Sequence, residues 1–205
     1  DLVRSRGLGD VYKRQKKARL GFLEPTAGQA DRGPQLPPLV IDADGLDALS
    51  DIKGWPQSLR RPTVLTPHAG EMARLLGTTP ADVQANRIEL ARRAAQEWNV
   101  VVVLKGAYTV IASPSGTTYI NPFANAALAT AGTGDVLAGS IAGLLAQGLP
   151  PLEAAVAGAY VHGLAGQMVS EEVGLAGAVA GDLLGKLPLS IRRVAGAREG
   201  IERRG

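Results

Sequence analysis

Gly132-Thr133-Gly134-Asp135 puts two glycines and a carboxylate where a loop of small residues turns into a helix. Glycine lets the backbone approach a ligand closely and adopt positive φ. The first turn of a helix presents N–H groups with no intrahelical partner, at the positive end of the helix dipole. Such a turn is an anion hole suited to phosphate. Asp135 falls inside that turn and has two readings. It is a carboxylate that stabilises a helix N-terminus by about 0.3–1 kcal/mol. Or it is a general base beside the anion hole, aimed at a hydroxyl that attacks a phosphoryl group. The local pattern alone leaves both open.

Lys105 directly follows the apolar run Val100–Leu104. A charge at the end of a buried strand needs a partner, and an anionic nucleotide or a carboxylate would serve. The plainer reading is a strand-end lysine reaching solvent. His68 follows Pro67 at the end of another apolar run, where loops carry binding groups. It reads equally as a capped or solvated loop histidine. Tyr108 and Thr109 are strand formers of the kind a hairpin uses. His162 lies among the small apolar residues of AYVHGLAG (Ala159–Gly166) and reads as a packed core histidine without a chemical role.

The elements that must position these groups follow from periodicity. PLVIDADGLDAL reads as a short strand, an acidic loop and the start of a helix. RPTVLTPHAGEMARLL repeats that grammar, with a strand over Thr63–Thr66 and a helix entered near Gly70–Glu71. An amphipathic helix is expected from Thr79 or Pro80 to Trp98. Val100–Leu104 reads as a strand buried on both faces. Tyr108–Ala112 and Thr117–Ile120 flank Ser113-Pro114-Ser115-Gly116 and predict a hairpin. Three helices follow, over about Thr133–Gln147, Pro151–Val169 and Ala176–Leu184. Pro151 suits a first helical turn. The third helix is expected to end before Lys186–Pro188. Strand–helix alternation, then a hairpin, then helices, predicts an α/β domain with a mostly parallel sheet covered on both faces.

Composition narrows the function classes. A chain of 205 residues can bury the core of one such domain. Aromatics make up 4%, so the core must be built from Ala, Val, Leu and Ile. The absence of cysteine excludes a disulfide framework, thiolate zinc sites and a cysteine nucleophile. No apolar run approaches the ~18 residues of a membrane span, so no membrane partner is expected. The first residues contain no apolar signal-peptide core.

A net charge of +3 invites a nucleic-acid reading, which the distribution argues against. Residues 1–19 carry +5 and residues 192–205 carry +3, which leaves −5 for the stretch between them. Residues 1–19 show no clear periodicity and are expected to be a leader, non-native or disordered. Residues 24–38 form a proline- and glycine-rich loop, and residues 191–205 a basic tail.

The whole stretch NPFANAALATAGTGDVLAG (Asn121–Gly139) resembles the signature of the ADP/ATP-dependent NAD(P)H-hydrate dehydratases, members of the ribokinase-like superfamily. IDADGLDAL (Ile41–Leu49) resembles the family's acidic strand-end motif. TPHAGE (Thr66–Glu71) matches its most characteristic hexapeptide, and LKGAYT (Leu104–Thr109) its nucleotide-binding loop. VAGDLLGKLP (Val179–Pro188) resembles its C-terminal helix. Together these cover residues 20–190, in family order.

The resemblance implies a ribokinase-like fold and a cytoplasmic enzyme of metabolite repair, a lyase that restores NADH or NADPH from its hydrate. Phosphorylation of the ring hydroxyl by ADP or ATP, with Mg²⁺, would precede loss of phosphate. Carried over position by position, His68 and Asp135 would contact the hydrated nicotinamide, with Asp135 as the base. Lys105, Gly106, Ala107, Tyr108, Thr109 and Gly134 would hold the adenine nucleotide. Self-association is common in the family, and an epimerase, fused or separate, is an implied partner.

Two positions depart from the pattern: Asp47 stands where the family usually has Asn, and Ala126 where Pro is common. Nothing before Leu20 resembles the family's first strands and glycine-rich segment, so an N-terminally truncated domain with an open sheet edge is expected. Two rivals remain at this level. One is a ribokinase-like kinase of thiazole or pyrimidine alcohols. The other is an ADP-binding fragment without turnover.

Overall fold

The computed structural model describes residues 37–59 and 61–202. The expected leader, and nearly all of the proline- and glycine-rich loop, lie outside them.

Three short strands share one parallel direction: β1 (Leu39–Ile41), β2 (Thr63–Leu65) and β3 (Val101–Leu104). The expected hairpin follows as β4 (Val110–Ala112) and β5 (Thr118–Ile120). It adds to β3 antiparallel, so the sheet runs β1-β2-β3-β4-β5 in chain order. Strand β4 starts later than the expected Tyr108, because Tyr108 has φ 55°, outside the range a strand allows.

Burial alternates along the strands and divides the core between two helical layers. Leu65, Val102, Leu104, Val110 and Ala112 face one layer. It contains α1 (Asp44–Ser50), α2 (Ala69–Leu76), α3 (Pro80–Ala85) and α4 (Arg87–Trp98). Val64, Val101, Val103 and Ile111 face the other, made by α5 (Thr133–Ala146) and α6 (Pro151–Val173). Helix α7 (Ala180–Glu202) packs on α6. As the composition requires, small residues fill much of this core: Ala91, Ala94, Ala95, Ala154, Ala155, Ala159 and Ala165 are buried.

Two expected elements differ. The single helix over 79–98 is two helices, α3 and α4, broken at Asn86 with φ −129° and ψ 33°. The Asn86 side chain donates to the Asp82 carbonyl, which competes with helix continuation. The apolar period over Val83, Ile88 and Leu90 passes through the break and hides it. The third C-terminal helix does not stop before Lys186–Pro188 but runs through Pro188 to Glu202. Proline removes a helical hydrogen bond to the carbonyl of Leu184. Leu184 is exposed, so water can take that carbonyl, while Leu183 and Ser190 anchor both sides of the proline in the core. Residues 191–196 of the expected tail are exposed, but helical.

Candidate active site

The strand ends place the charges. Asp42 is the first residue past β1, and Lys105 the first past β3. Lys105 Nζ donates to Asp42 Oδ1 at 2.6 Å and lies 3.6 Å from Glu71 Oε2. All three side chains are largely buried, with Glu71 only 7% exposed. The lysine therefore has carboxylate partners within the protein, one of the two solutions its position demanded. The backbone helps: Lys105 N–H donates to the Pro67 carbonyl, tying the β3 end to the β2 end.

His68 is the N-cap of α2. Its Nδ1 accepts from the N–H groups of Gly70 and Glu71 at 2.9 and 3.1 Å. Glu71 reciprocates, its Oε2 accepting from His68 N–H at 2.6 Å. This is a capping box with histidine in the place of serine or threonine. Nδ1 accepts, so the ring proton sits on Nε2, 3.4 Å from Glu71 Oε1. His68 thus serves as a helix cap, and its imidazole stays half exposed at the same time.

Helix α5 starts on the GTGD turn as its sequence requires. Gly132 caps it in the left-handed region at φ 85°, and no side chain makes a capping hydrogen bond to the first turn. Thr133 N–H and Val136 N–H bond back to the carbonyls of Thr130 and Gly132. The N–H groups of Gly134 and Asp135 have no acceptor among the described residues. A Cβ on Gly134 would lie 3.4 Å from Lys105 Nζ and 3.6 Å from Asp42 Oδ2. The uncapped turn therefore lies beside the Lys105–Asp42 pair. Asp135 is exposed on the same turn.

The remaining loop residues form a second group. Thr109 Oγ1 donates to the Gly106 carbonyl, and Tyr108 N–H to the Phe123 carbonyl, which closes the 105–109 loop against the signature segment. Ala107 and Tyr108 line a cavity of about 460 Å³ with Gln84, Arg87, Ile88, Val110 and Ile120. Arg87 donates to the Leu104 carbonyl at 3.1 Å and crowds Gly106, where a Cβ would collide with its guanidinium. Burial lowers the pKa of that guanidinium from its ordinary value. A larger cavity, about 600 Å³, opens at the other end of the strands among Arg61, Thr63, Asn99, Ser113 and Pro150. It contains none of the motif residues. Open α/β sheets bind ligands at the carboxyl ends of their strands, so the smaller cavity is the relevant one.

The structure thus brings Lys105 and Gly134 together and links His68 to them through Glu71. Ala107 and Tyr108 sit in the adjoining cavity. Sequence reasoning gave no role to Asp42, Glu71 or Arg87. Asp42 carried a signal, since it follows its strand as Lys105 follows its own. Asp47 makes an ion pair with Arg74 at 2.5 Å, a contact that an asparagine could make only as a neutral hydrogen bond.

The sequence pattern of the family described as NAD(P)H-hydrate dehydratase matches residues 27–189. The bifunctional NAD(P)H-hydrate repair enzyme of Moorella thermoacetica is 53% identical over 157 residues, 77% of this chain and 30% of that one. An ADP/ATP-dependent NAD(P)H-hydrate dehydratase from Bacillus subtilis, co-crystallised with ATP and Mg²⁺ and soaked with CoA, superposes with a TM-score of 0.69. It is 35% identical, with 76% of this chain and 56% of that chain covered. A ribokinase-like superfamily protein from Enterococcus faecalis gives a TM-score of 0.64 at 29% identity, covering 78% of this chain and 54% of its own. The chain therefore spans about a third to just over half of the length of these relatives. The fold is ribokinase-like, and the chain belongs to the NAD(P)H-hydrate dehydratase family.

Proposed function

We propose that this domain takes part in the nucleotide-dependent dehydration of hydrated NADH and NADPH, with ADP or ATP as phosphoryl donor. The observation that carries this reading is the uncapped first turn of α5 opening beside Lys105. Two free N–H groups and the positive end of a helix dipole lie next to the ammonium group that Asp42 and Glu71 hold, a setting that fits a terminal phosphate. The relative from Bacillus subtilis, crystallised with ATP and Mg²⁺, supports the same nucleotide class.

In this reading Lys105, Gly106, Ala107, Tyr108, Thr109 and Gly134 hold the nucleotide. Tyr108 and Ala107 line the cavity next to the 105–109 loop, where the planar base of the nucleotide can lie. His68 presents its exposed imidazole to the hydrated nicotinamide. Asp135 takes the proton of the ring hydroxyl as its oxygen attacks the terminal phosphorus. The new O–P bond forms as the bond to the nucleotide breaks. Phosphate then leaves with the ring oxygen, a neighbouring carbon loses a proton, and the double bond returns. Mg²⁺ travelling with the nucleotide neutralises phosphate charge. Among the described residues no three His, Cys, Asp or Glu side chains cluster as metal ligands.

Among the described residues no helix is long and apolar enough to cross a membrane, and a cytoplasmic place suits the substrate. The bifunctional Moorella relative motivates an epimerase partner, fused or separate. Self-association of the domain belongs to the same proposal.

The test follows regeneration of NADH by its near-ultraviolet absorbance, with hydrated NADH, Mg²⁺ and ADP or ATP. A nucleotide-dependent rise, reduced at least a hundredfold in Asp135→Asn, is expected. A stable phosphorylated alcohol in place of NADH would instead support the kinase reading. ADP binding without any product would support the fragment reading.

A further inference from the structure

His162 is buried in the middle of α6, and its Nε2 lies 2.9 Å from the carbonyl oxygen of Thr133. A carbonyl only accepts, so Nε2 carries the ring proton. The Thr133–Gly134 peptide is planar and trans, so its C=O and N–H point in opposite directions. The far end of the peptide that His162 grips is therefore the Gly134 N–H, one of the two free donors of the anion hole.

We propose that His162 is a positioning residue for phosphoryl transfer: its Nε2–H fixes the Thr133–Gly134 peptide and aims the Gly134 N–H at the phosphate of the nucleotide. The inference rests on the anion-hole reading given above. A donor at the carbonyl also polarises the peptide and strengthens its N–H as a donor.

The rest of α6 is built for this grip. A Cβ on Gly163 would collide with Phe123, one on Gly166 would meet Leu128 Cδ2 at 2.5 Å, and one on Gly158 would meet Ile141 Cγ1 at 2.7 Å. These glycines let α6 lie directly against the signature loop and α5. Asn121 Nδ2 donates to the Ala159 carbonyl at 2.8 Å, and Asn125 Nδ2 to the Gly166 carbonyl at 2.9 Å. From the loop side, Thr133 Oγ1 donates to the carbonyls of Leu128 and Thr130 at 2.7 and 2.8 Å. The first residue of α5 is thus clamped by its own loop on one side and by His162 on the other. An apolar side chain of similar size would fill the same space without orienting the peptide.

The full chain is compared with His162→Phe, which keeps the bulk and loses the donor, and with His162→Gln, whose amide nitrogen can reach the place of Nε2. Should the phenylalanine variant fail to fold, His162→Asn replaces it, a polar side chain too short to reach Thr133. Calorimetry gives ADP affinity, and steady-state kinetics give kcat and the KM for hydrated NADH. His162→Phe or His162→Asn is expected to weaken ADP binding about tenfold and to lower kcat by at least that factor. The KM for hydrated NADH should stay unchanged, and His162→Gln should recover both losses to within about threefold. Equal ADP affinity in all variants, with only the thermal midpoint lowered, would overturn the proposal and leave His162 a packing residue. If the chain binds ADP but regenerates no NADH, the dehydratase reading fails while the affinities still decide the role of His162. If it binds no ADP, the anion-hole reading and this proposal fall together.

Discussion

Lys105→Met removes one charge and keeps most of the stem, so it isolates what the ammonium group does. The consequences fall unequally on its two partners. Glu71 keeps the His68 N–H at 2.6 Å. Asp42, with a side chain only 12% exposed, has no other hydrogen-bond donor to its carboxylate among the described residues. Removing one member of a buried pair costs about 3–5 kcal/mol, mostly for the charge left behind. Slight solvent access places the expected loss at the lower end, about 3 kcal/mol. Asp42→Asn in the same background removes the stranded charge and should restore roughly half of the loss.

The assay is urea unfolding of the four members of the cycle. A shift of midpoint at constant m value measures stability alone. ADP affinity is measured beside it and should fall more than tenfold in Lys105→Met whether or not Asp42 is changed. A stability within about 0.5 kcal/mol of the parent, with no coupling between the two positions, would refute the reasoning. It would mean that water reaches Asp42 freely, as it does for ordinary surface pairs.

Gly134→Ala should separate stability from binding. Its Cβ would meet Lys105 and Asp42 at ordinary contact distances, so the fold should tolerate it or gain up to about 1 kcal/mol from helix propensity. The methyl group narrows the space between the turn and the Lys105–Asp42 pair, and ADP affinity by calorimetry should drop at least tenfold. Arg87→Ala frees the Leu104 carbonyl and the Gly106 backbone, so ADP should bind about tenfold more weakly, with the KM for hydrated NADH unchanged. Burial lowers the pKa of His162. Below the ordinary histidine value of about 6.5, the unfolded chain therefore binds more protons than the folded one. Its contribution is present above that pH and is lost on acidification towards the lower folded value, by up to about 1.4 kcal/mol per pH unit. Urea midpoints at neutral and mildly acidic pH should show this slope in the parent and its loss in His162→Gln.

What the sequence made legible has a physical pattern. Val101–Leu104 could be read because a short run of β-branched and apolar residues, bounded by Asn99 and Lys105-Gly106, is too short for a buried helix and suits a strand buried on both faces. The start of α5 could be read because glycine, an acidic first turn and a small-residue helix agree at one point. Asn86 escaped because apolar spacing reports which faces are buried, not whether the backbone between them is continuous. Pro188 misled because the rule against proline assumes that the freed carbonyl is costly, and at an exposed turn it is not. The partnership of Asp42 and Lys105, 63 residues apart, belongs to the fold rather than to any local pattern.

The same distinction bears on where the anion hole comes from. Its motif is local, yet no side chain of the GTGD turn caps α5, and the turn's backbone bonds to Thr130 and Gly132 leave the Gly134 and Asp135 N–H groups without an acceptor among the described residues. The orientation of the Thr133–Gly134 peptide is set from α6, by a histidine that from sequence alone read as packing. Glycines at 158, 163 and 166 weaken α6 as a helix, each by about 0.5–1 kcal/mol relative to alanine. Their value lies in the close approach that the collisions with Ile141, Phe123 and Leu128 would forbid to any other residue. A chain with so few aromatics can make that approach because alanine and glycine keep the helix axes near one another. The low aromatic content, which first appeared only to limit the core, is thus part of what lets a remote helix shape the phosphate site.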